Sequence, residues 1–186
     1  HWENVSELHD WAWDPHPGQN WATDAAFKDG SYYWYVSMAG DTIAVAKAPT
    51  PHGPWSDPLG HPLLDAALGK SLSPPAGIRD PGVLQDDDGR NYLVFGSCGG
   101  PVQPDDCCYY ASELGADMVS VSTPVHLSVH SALGPYGPGK CDDKPFLHKH
   151  NSTYYLSWGG FYATGSSPYG PYQYPLQSIR VDSLSV

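Results

Sequence analysis

The sequence predicts an all-β protein built of repeated four-stranded antiparallel sheets, a β-propeller, and three observations carry that prediction. Seven Trp, thirteen Tyr and four Phe supply large rings that favour pleated, half-buried strands and that a disordered chain lacks. Gly 20 and Pro 19 in 186 residues, with 16% charged residues, read as frequent tight turns in a globular protein rather than as a helical bundle. One unit, an Asp followed by a short apolar strand, a polar turn and an aromatic-rich strand, recurs three times.

Asp24, Asp80 and Asp143 open the three copies, at intervals of 56 and 63 residues, room for four short strands and their loops. The first copy runs through Phe27 to Lys28-Asp29-Gly30 and on to Tyr32-Tyr33-Trp34-Tyr35. The second runs through Val83-Leu84 to Asp87-Asp88-Gly89 and Tyr92-Leu93-Val94-Phe95. The third runs through Phe146-Leu147 to Asn151-Ser152 and Tyr154-Tyr155-Leu156. The D-G pairs are hairpin signals, because Gly tolerates the positive φ that a tight turn demands. A third strand follows in each unit, Thr42–Lys47, Cys108–Ser112 and Phe161–Thr164. A second marker, Thr50-Pro-His-Gly-Pro-Trp55 and Ser167-Pro-Tyr-Gly-Pro-Tyr172, recurs 26 and 24 residues after the opening Asp. Two markers in one register favour a propeller over a sandwich of look-alike hairpins. The blades fall at about 24–79, 80–142 and 143–186, within one partial propeller domain spanning 1–186. Closed propellers hold ~4 to 8 blades, so further blades or another chain are expected to complete the ring. The start at His1 rather than Met reads as a processed product or a fragment.

Charge and hydropathy narrow the partners. With 20 acidic against 9 basic side chains and a net charge of -11, the chain lacks the basic face that displaces counterions from phosphate, so nucleic acid is not an expected partner. No run approaches the ~18 to 20 apolar residues of a spanning helix, so a membrane is not expected either, and no signal peptide stands at the start.

Cys98, Cys107, Cys108 and Cys141 lack paired C-x-x-C metal spacing, which points to disulfides. Four cysteines allow three connectivities, of which the adjacent Cys107-Cys108 bond is the least favoured because its ring is strained. Cys98 and Cys141 are therefore expected each to pair with one of the adjacent two. Sequons at Asn4 and Asn151 agree with a secreted, extracellular glycoprotein.

In a propeller the innermost strands line the central funnel, so Asp24, Asp80 and Asp143 are expected to converge at one mouth. Like charges and partial burial there raise at least one carboxyl pKa. Glycoside hydrolysis needs that arrangement: one protonated acid at the leaving oxygen and one ionised carboxylate. The blander reading of each Asp is a side chain bonding turn amides. Trp21, Trp158 and Phe161 are candidates to stack on sugar faces, with Asp24 beside them as a substrate-binding residue; packing between blades is the alternative for the rings. His148 and His150 share a strand face as i, i+2 neighbours, but a solvated hairpin arm explains them without a metal. His1 as a copper ligand conflicts with the propeller repeat.

The block Arg79-Asp80-Pro81-Gly-Val-Leu-Gln-Asp-Asp-Asp-Gly-Arg-Asn-Tyr-Leu-Val-Phe-Gly96 resembles the I-D-P-x-V-F-x-D-D-D-G-x-x-Y-L-x-x-G block of glycoside hydrolase family 43. Trp21-Ala-Thr-Asp24 with Lys28-Asp-Gly-Ser-Tyr-Tyr33 is similar to the family's W-A-P-D and K-D-G-K-Y-Y pieces. The resemblance covers about residues 20 to 175 and implies a five-bladed propeller, represented by its second, third and part of its fourth blades. It implies an inverting glycosidase acting on arabinose-, xylose- or galactose-containing polysaccharides, with no cofactor, though a calcium ion on the propeller axis is compatible with the family. Asp80 falls on the carboxylate that orients the general acid and tunes its pKa. Asp143 falls on the general acid, where the family's usual E-G-P is replaced by Asp142-Asp143-Lys144-Pro145. The general base belongs to the family's first blade and has no counterpart in this reading; Asp14-Pro15 imitates its D-P pair, but no aromatic strand follows. A carbohydrate-binding or structural secreted propeller without the base is the alternative.

Overall fold

The protein is built of β-sheets stacked face to face, with apolar cores between them. The computed structural model describes residues 11–96, 108–130, 144–158 and 161–173. The first sheet joins β1 (Asn20–Lys28), β2 (Ser31–Met38) and β3 (Thr42–Ala48) in that order, antiparallel throughout. Asp29 and Gly30 form the two-residue turn between β1 and β2, with φ of 50° and 76°. Positive φ at both central residues matches the twist of the flanking strands, which is why D-G stands there.

The second sheet has the order β4 (Gly82–Gln85), β5 (Asn91–Phe95), β6 (Tyr110–Leu114), β7 (Val125–His126). The third contains β8 (Val129–His130), β9 (Phe146–His150), β10 (Thr153–Trp158), β11 (Phe161–Gly165) and β12 (Tyr172–Gln173), in the order β8-β12-β11-β10-β9. One helix, α1 (Ala66–Ser71), lies between β3 and β4, its first turn capped by Asp65 Oδ1 accepting from the Leu68 N–H at 2.9 Å. No helix among the described residues is long and apolar enough to cross a membrane.

Among the described residues, four strands per sheet hold only for the middle one. In the first sheet the fourth position is filled by single bridges, Lys47 to Ser56 and Ile43 to Leu64. Pro49, Pro51, Pro54, Pro58 and Pro62 interrupt that segment, and proline has no N–H to sustain a ladder. The third sheet gains a fifth strand because β8, just past the second sheet, adds parallel to β12, with the Tyr172 N–H donating to the Ser128 carbonyl at 2.9 Å.

The middle sheet is buried on both faces, and β5 shows how. Leu93 and Phe95 join Tyr33, Tyr35, Ile43, Val45 and Ile78 in the core shared with the first sheet. Tyr92 and Val94 point the other way, into the core shared with the third sheet, with Leu84, Leu147, Leu156 and Trp158. Inner strands β1, β4 and β9 adjoin in chain order. The β4–β9 approach is close enough that a Cβ at Gly82 would stand 3.0 Å from the Pro145 carbonyl. Polar ties cross the same seams. Tyr35 Oη donates to the Met118 carbonyl at 2.7 Å, and Gln85 Nε2 to the Phe27 carbonyl at 3.0 Å.

The repeated proline motif keeps one conformation in both copies. The Gly53 N–H donates to the Thr50 carbonyl and the Gly170 N–H to the Ser167 carbonyl, each at 3.0 Å, with both glycines at positive φ.

Candidate active site

Strand register brings the opening residues of the inner strands to one end of the stack. Trp21 pairs with Ser37 across β1 and β2. Ser37 Oγ in turn accepts from the Asp80 N–H at 2.6 Å, just ahead of β4. Lys144, just ahead of β9, donates through Nζ to the Thr23 carbonyl on β1 at 2.8 Å. Three blades are thus stitched together at the mouth where the sequence places its carboxylates.

Of the two that the structure describes, Asp80 is the more buried. It is 4% exposed and its backbone sits at φ 58°, a left-handed conformation that Asp and Asn tolerate better than most residues. The neighbouring chain holds it there: the Gly96 N–H donates to the Arg79 carbonyl at 2.9 Å. Asp143 lies outside the described residues; the chain that follows it, Lys144-Pro145, reaches the first sheet through the Lys144 bond to Thr23.

Asp24 does what the blander reading expects. Its Oδ1 accepts from its neighbour Ala25's N–H at 2.8 Å and its Oδ2 from the Val83 N–H of β4 at 2.7 Å. Both oxygens thus serve backbone donors, and the carboxylate couples the first two blades. Trp21 is 44% exposed, at a register irregularity between Trp21 and Thr23 where Ala22 takes φ 28°. Its ring is available at the mouth. Trp158 is not, being 2% exposed within the core between the second and third sheets and 6.2 Å from the Tyr109 ring. Its side chain packs because β10 turns Tyr154, Leu156 and Trp158 inward together. Phe161 opens β11 opposite Trp158; its side chain lies outside the described residues.

Of the remaining candidates, Asp14 Oδ1 accepts from the His16 N–H at 2.8 Å in an exposed turn. His148 stacks on Tyr155, centroids 5.0 Å apart and planes 8° from parallel, and burial lowers its pKa. No group of three or more His, Cys, Asp or Glu among the described residues could hold a metal ion. Cys108 is buried, while Cys98, Cys107, Cys141, Asn4 and His1 lie outside the described residues. Asn151 is exposed at the β9–β10 turn, with φ 54°.

Sequence reasoning missed Ser37 and the second acidic cluster. The Asp86 side chain is fully buried, accepting from Lys149 Nζ at 2.7 Å and from Tyr154 Oη at 2.5 Å, with Asp87 also paired to Lys149. Burial alone would raise the Asp86 pKa, but the bonds from Lys149, Tyr154 and the turn hold it far below the usual carboxylate range. Lys149 is correspondingly raised by its hydrogen bonds to Asp86 and Asp87. Asp-Asp-Asp-Gly looked like a hairpin turn alone. The signal that it also anchors a neighbour was a lysine flanked by two histidines on the next inner strand.

Comparison with known proteins gives a consistent answer. Residues 1–180 match the family described as Glycosyl hydrolases family 43, so the likeness begins at the first residue rather than near residue 20. An arabinoxylan arabinofuranohydrolase of Bacillus subtilis is 32% identical over 176 residues, covering 84% of this chain and 34% of that protein. A β-D-galactofuranosidase of Aspergillus niger is 33% identical over 175 residues, covering 87% and 45%. Among solved structures, an α-L-arabinofuranosidase from Clostridium thermocellum superposes with TM-score 0.69 at 27% identity, over 84% of this chain and 50% of that one. The chain spans less than half the length of both curated relatives. The solved relatives are five-bladed propellers, and this chain forms part of that fold.

Proposed function

Since the chain belongs to glycosyl hydrolases family 43, we propose that it forms part of a glycoside hydrolase that cleaves arabinose-, xylose- or galactose-containing polysaccharides with inversion. The observation that carries the reading is Asp80: a buried carboxylate in a constrained backbone, at the blade mouth, inside the block that resembles the family's. In this reading Asp143 protonates the leaving oxygen, and Asp80 positions that acid and favours its protonated form by its own negative charge. The exposed Trp21 ring offers its face to a sugar. A base then activates water on the opposite face of the sugar, ~6.5 to 9.5 Å from the acid; among the described residues no carboxylate is assigned to it. That open role favours a second reading, a carbohydrate-binding or structural propeller without turnover.

Secretion belongs to the same proposal, with glycans on Asn4 and Asn151 and Cys98, Cys107, Cys108 and Cys141 joined in two disulfides. The test is to incubate the natural protein with arabinoxylan and follow the anomeric proton of the released sugar by NMR. Inverted sugar appearing first supports the hydrolase. Retained anomeric configuration would overturn the mechanism, and saturable binding without release would favour the second reading.

A further inference from the structure

Beside the mouth lies a cavity of about 210 Å³ that no catalytic role accounts for, between α1, the segment leading to Asp80 and the β2–β3 turn. Asp41, Gly69, Lys70, Ala76, Gly77 and Arg79 line it. Its volume falls below the ~300 to 1,000 Å³ of clefts for drug-sized ligands, which suits one sugar unit rather than a length of chain. Gly69, Ala76 and Gly77 supply the small residues of its walls. α1 packs there on its own backbone, since a Cβ at Gly69 would stand 2.4 Å from the Ala76 carbonyl.

The charges of the cavity are unequal. Arg79 donates through Nε to Asp41 Oδ1 at 2.9 Å and through Nη2 to the same oxygen, so that pair is neutral as a whole. Asp41 Oδ2 and the outer guanidinium N–H groups remain in reach of hydroxyls. Lys70, exposed in the last turn of α1, has no ion-pair partner among the described residues. An uncompensated ammonium at a sugar-sized cavity, in a chain of net charge -11, selects for a carboxylate on the incoming sugar.

We propose that this cavity is a subsite for a uronosyl unit of the polysaccharide, its carboxylate held by Lys70 and its hydroxyls by the Arg79–Asp41 pair. The inference rests on the polysaccharide reading above and names a substrate feature for it, an acidic branch or neighbour close to the cleaved bond. Arg79 immediately precedes Asp80, so the subsite adjoins the residue proposed to position the acid.

The test uses the natural full-length protein and a matched pair of probes, methyl β-D-glucuronide and methyl β-D-glucoside, which differ in a carboxylate against a hydroxymethyl group. Titration calorimetry at low salt should show the glucuronide bound about tenfold more tightly, the scale of one charge-assisted hydrogen bond, with the preference shrinking as salt is added. Lys70→Gln should erase the preference and Lys70→Arg restore it, both with an unchanged melting temperature because Lys70 is exposed and unpaired. Equal affinity for the two glycosides, a preference that survives Lys70→Gln, or displacement of the glucuronide by equimolar acetate would overturn the proposal. Because the readout is binding, it separates from the hydrolase reading. Glucuronide preference without arabinoxylan hydrolysis would sink that reading alone, and hydrolysis with no preference would sink this one.

Discussion

At the scale of single residues, the three opening aspartates show how one sequence signal divides into different jobs. Asp24 and Asp80 both open inner-strand repeats, yet Asp24 spends its oxygens on backbone donors of its own strand and the next blade, while Asp80 is buried at the mouth in a left-handed backbone. Composition and spacing predict an Asp at each place; which amide each carboxylate meets depends on the approach of β1 to β4. Asp80→Asn keeps a residue that tolerates φ 58° but removes the charge. We expect the alkaline limb of the pH–rate profile to move to lower pH, since losing a nearby negative charge lowers the pKa of the acid that must stay protonated. An unmoved limb with reduced kcat would remove Asp80 from its tuning role. For Asp143→Asn we expect kcat on arabinoxylan to drop by ~10² to 10⁴-fold, and far less on activated aryl glycosides, which need little protonation. Equal losses on the two substrates would take the acid role from Asp143.

Between elements, a buried polar tie lies remote from the mouth. Asp86 in the β4–β5 turn, Lys149 on β9 and Tyr154 on β10 join the second blade to the third. Asp86→Ala leaves the buried Tyr154 hydroxyl without its acceptor, for which we expect a loss of about 1 to 3 kcal/mol by chemical denaturation. Removing Arg90, whose pairing with Asp88 is solvent-exposed, should change stability little. The sign of the pH dependence follows from the depressed Asp86 pKa. Its contribution is full above the ordinary carboxylate value near 4 and is lost as pH falls from there through the much lower folded value. Acid unfolding of the Asp86→Asn variant should therefore be less steep below pH 4 than that of the parent, and identical slopes would show that Asp86 is not the group titrating. The hairpins themselves were legible: Asp29-Gly30 takes the backbone that its residue types demand. The proline-broken fourth position of the first sheet and the parallel fifth strand of the third were not, because both depend on which neighbour lies within hydrogen-bond reach.

Across the whole molecule, the middle sheet is covered on both faces, while among the described residues the outer two are covered on one. The far side of the first sheet is partly roofed by Trp11 and Trp13 over Trp34 and Trp55, but Phe27 remains 51% exposed. On the far side of the third sheet, Phe146 is 39% exposed beside His148, which stacks on Tyr155, itself in tilted contact with Tyr162. Apolar faces of this kind seek cover. We expect the 186-residue chain alone to self-associate in light scattering and to hydrolyse arabinosides or xylosides feebly. A stable monomer with full activity would contradict both expectations. If the protein is secreted through a glycosylating host, Asn151 at its exposed turn should carry a glycan, and Thr153→Val should remove that mass while keeping a β-branched strand residue.

The sequence by itself determined the repeat, the all-β class, the hairpin turns and the family, because these follow from local chemistry: rings for pleated strands, Gly and Asp for positive φ, and a block of adjacent residues. Only the tertiary structure decided that Trp158 packs while Trp21 stays exposed, that Asp24 couples blades, that Asp86 anchors Lys149, and that Lys70 stands at a cavity beside Asp80. Each of those depends on which side of an element faces a neighbour and on which elements meet across a seam, as Asp24 and Val83 do 59 positions apart and Asp86 and Lys149 do 63 apart. Alternation along a strand gives two faces without saying which neighbour each will meet; packing of one blade on the next assigns them.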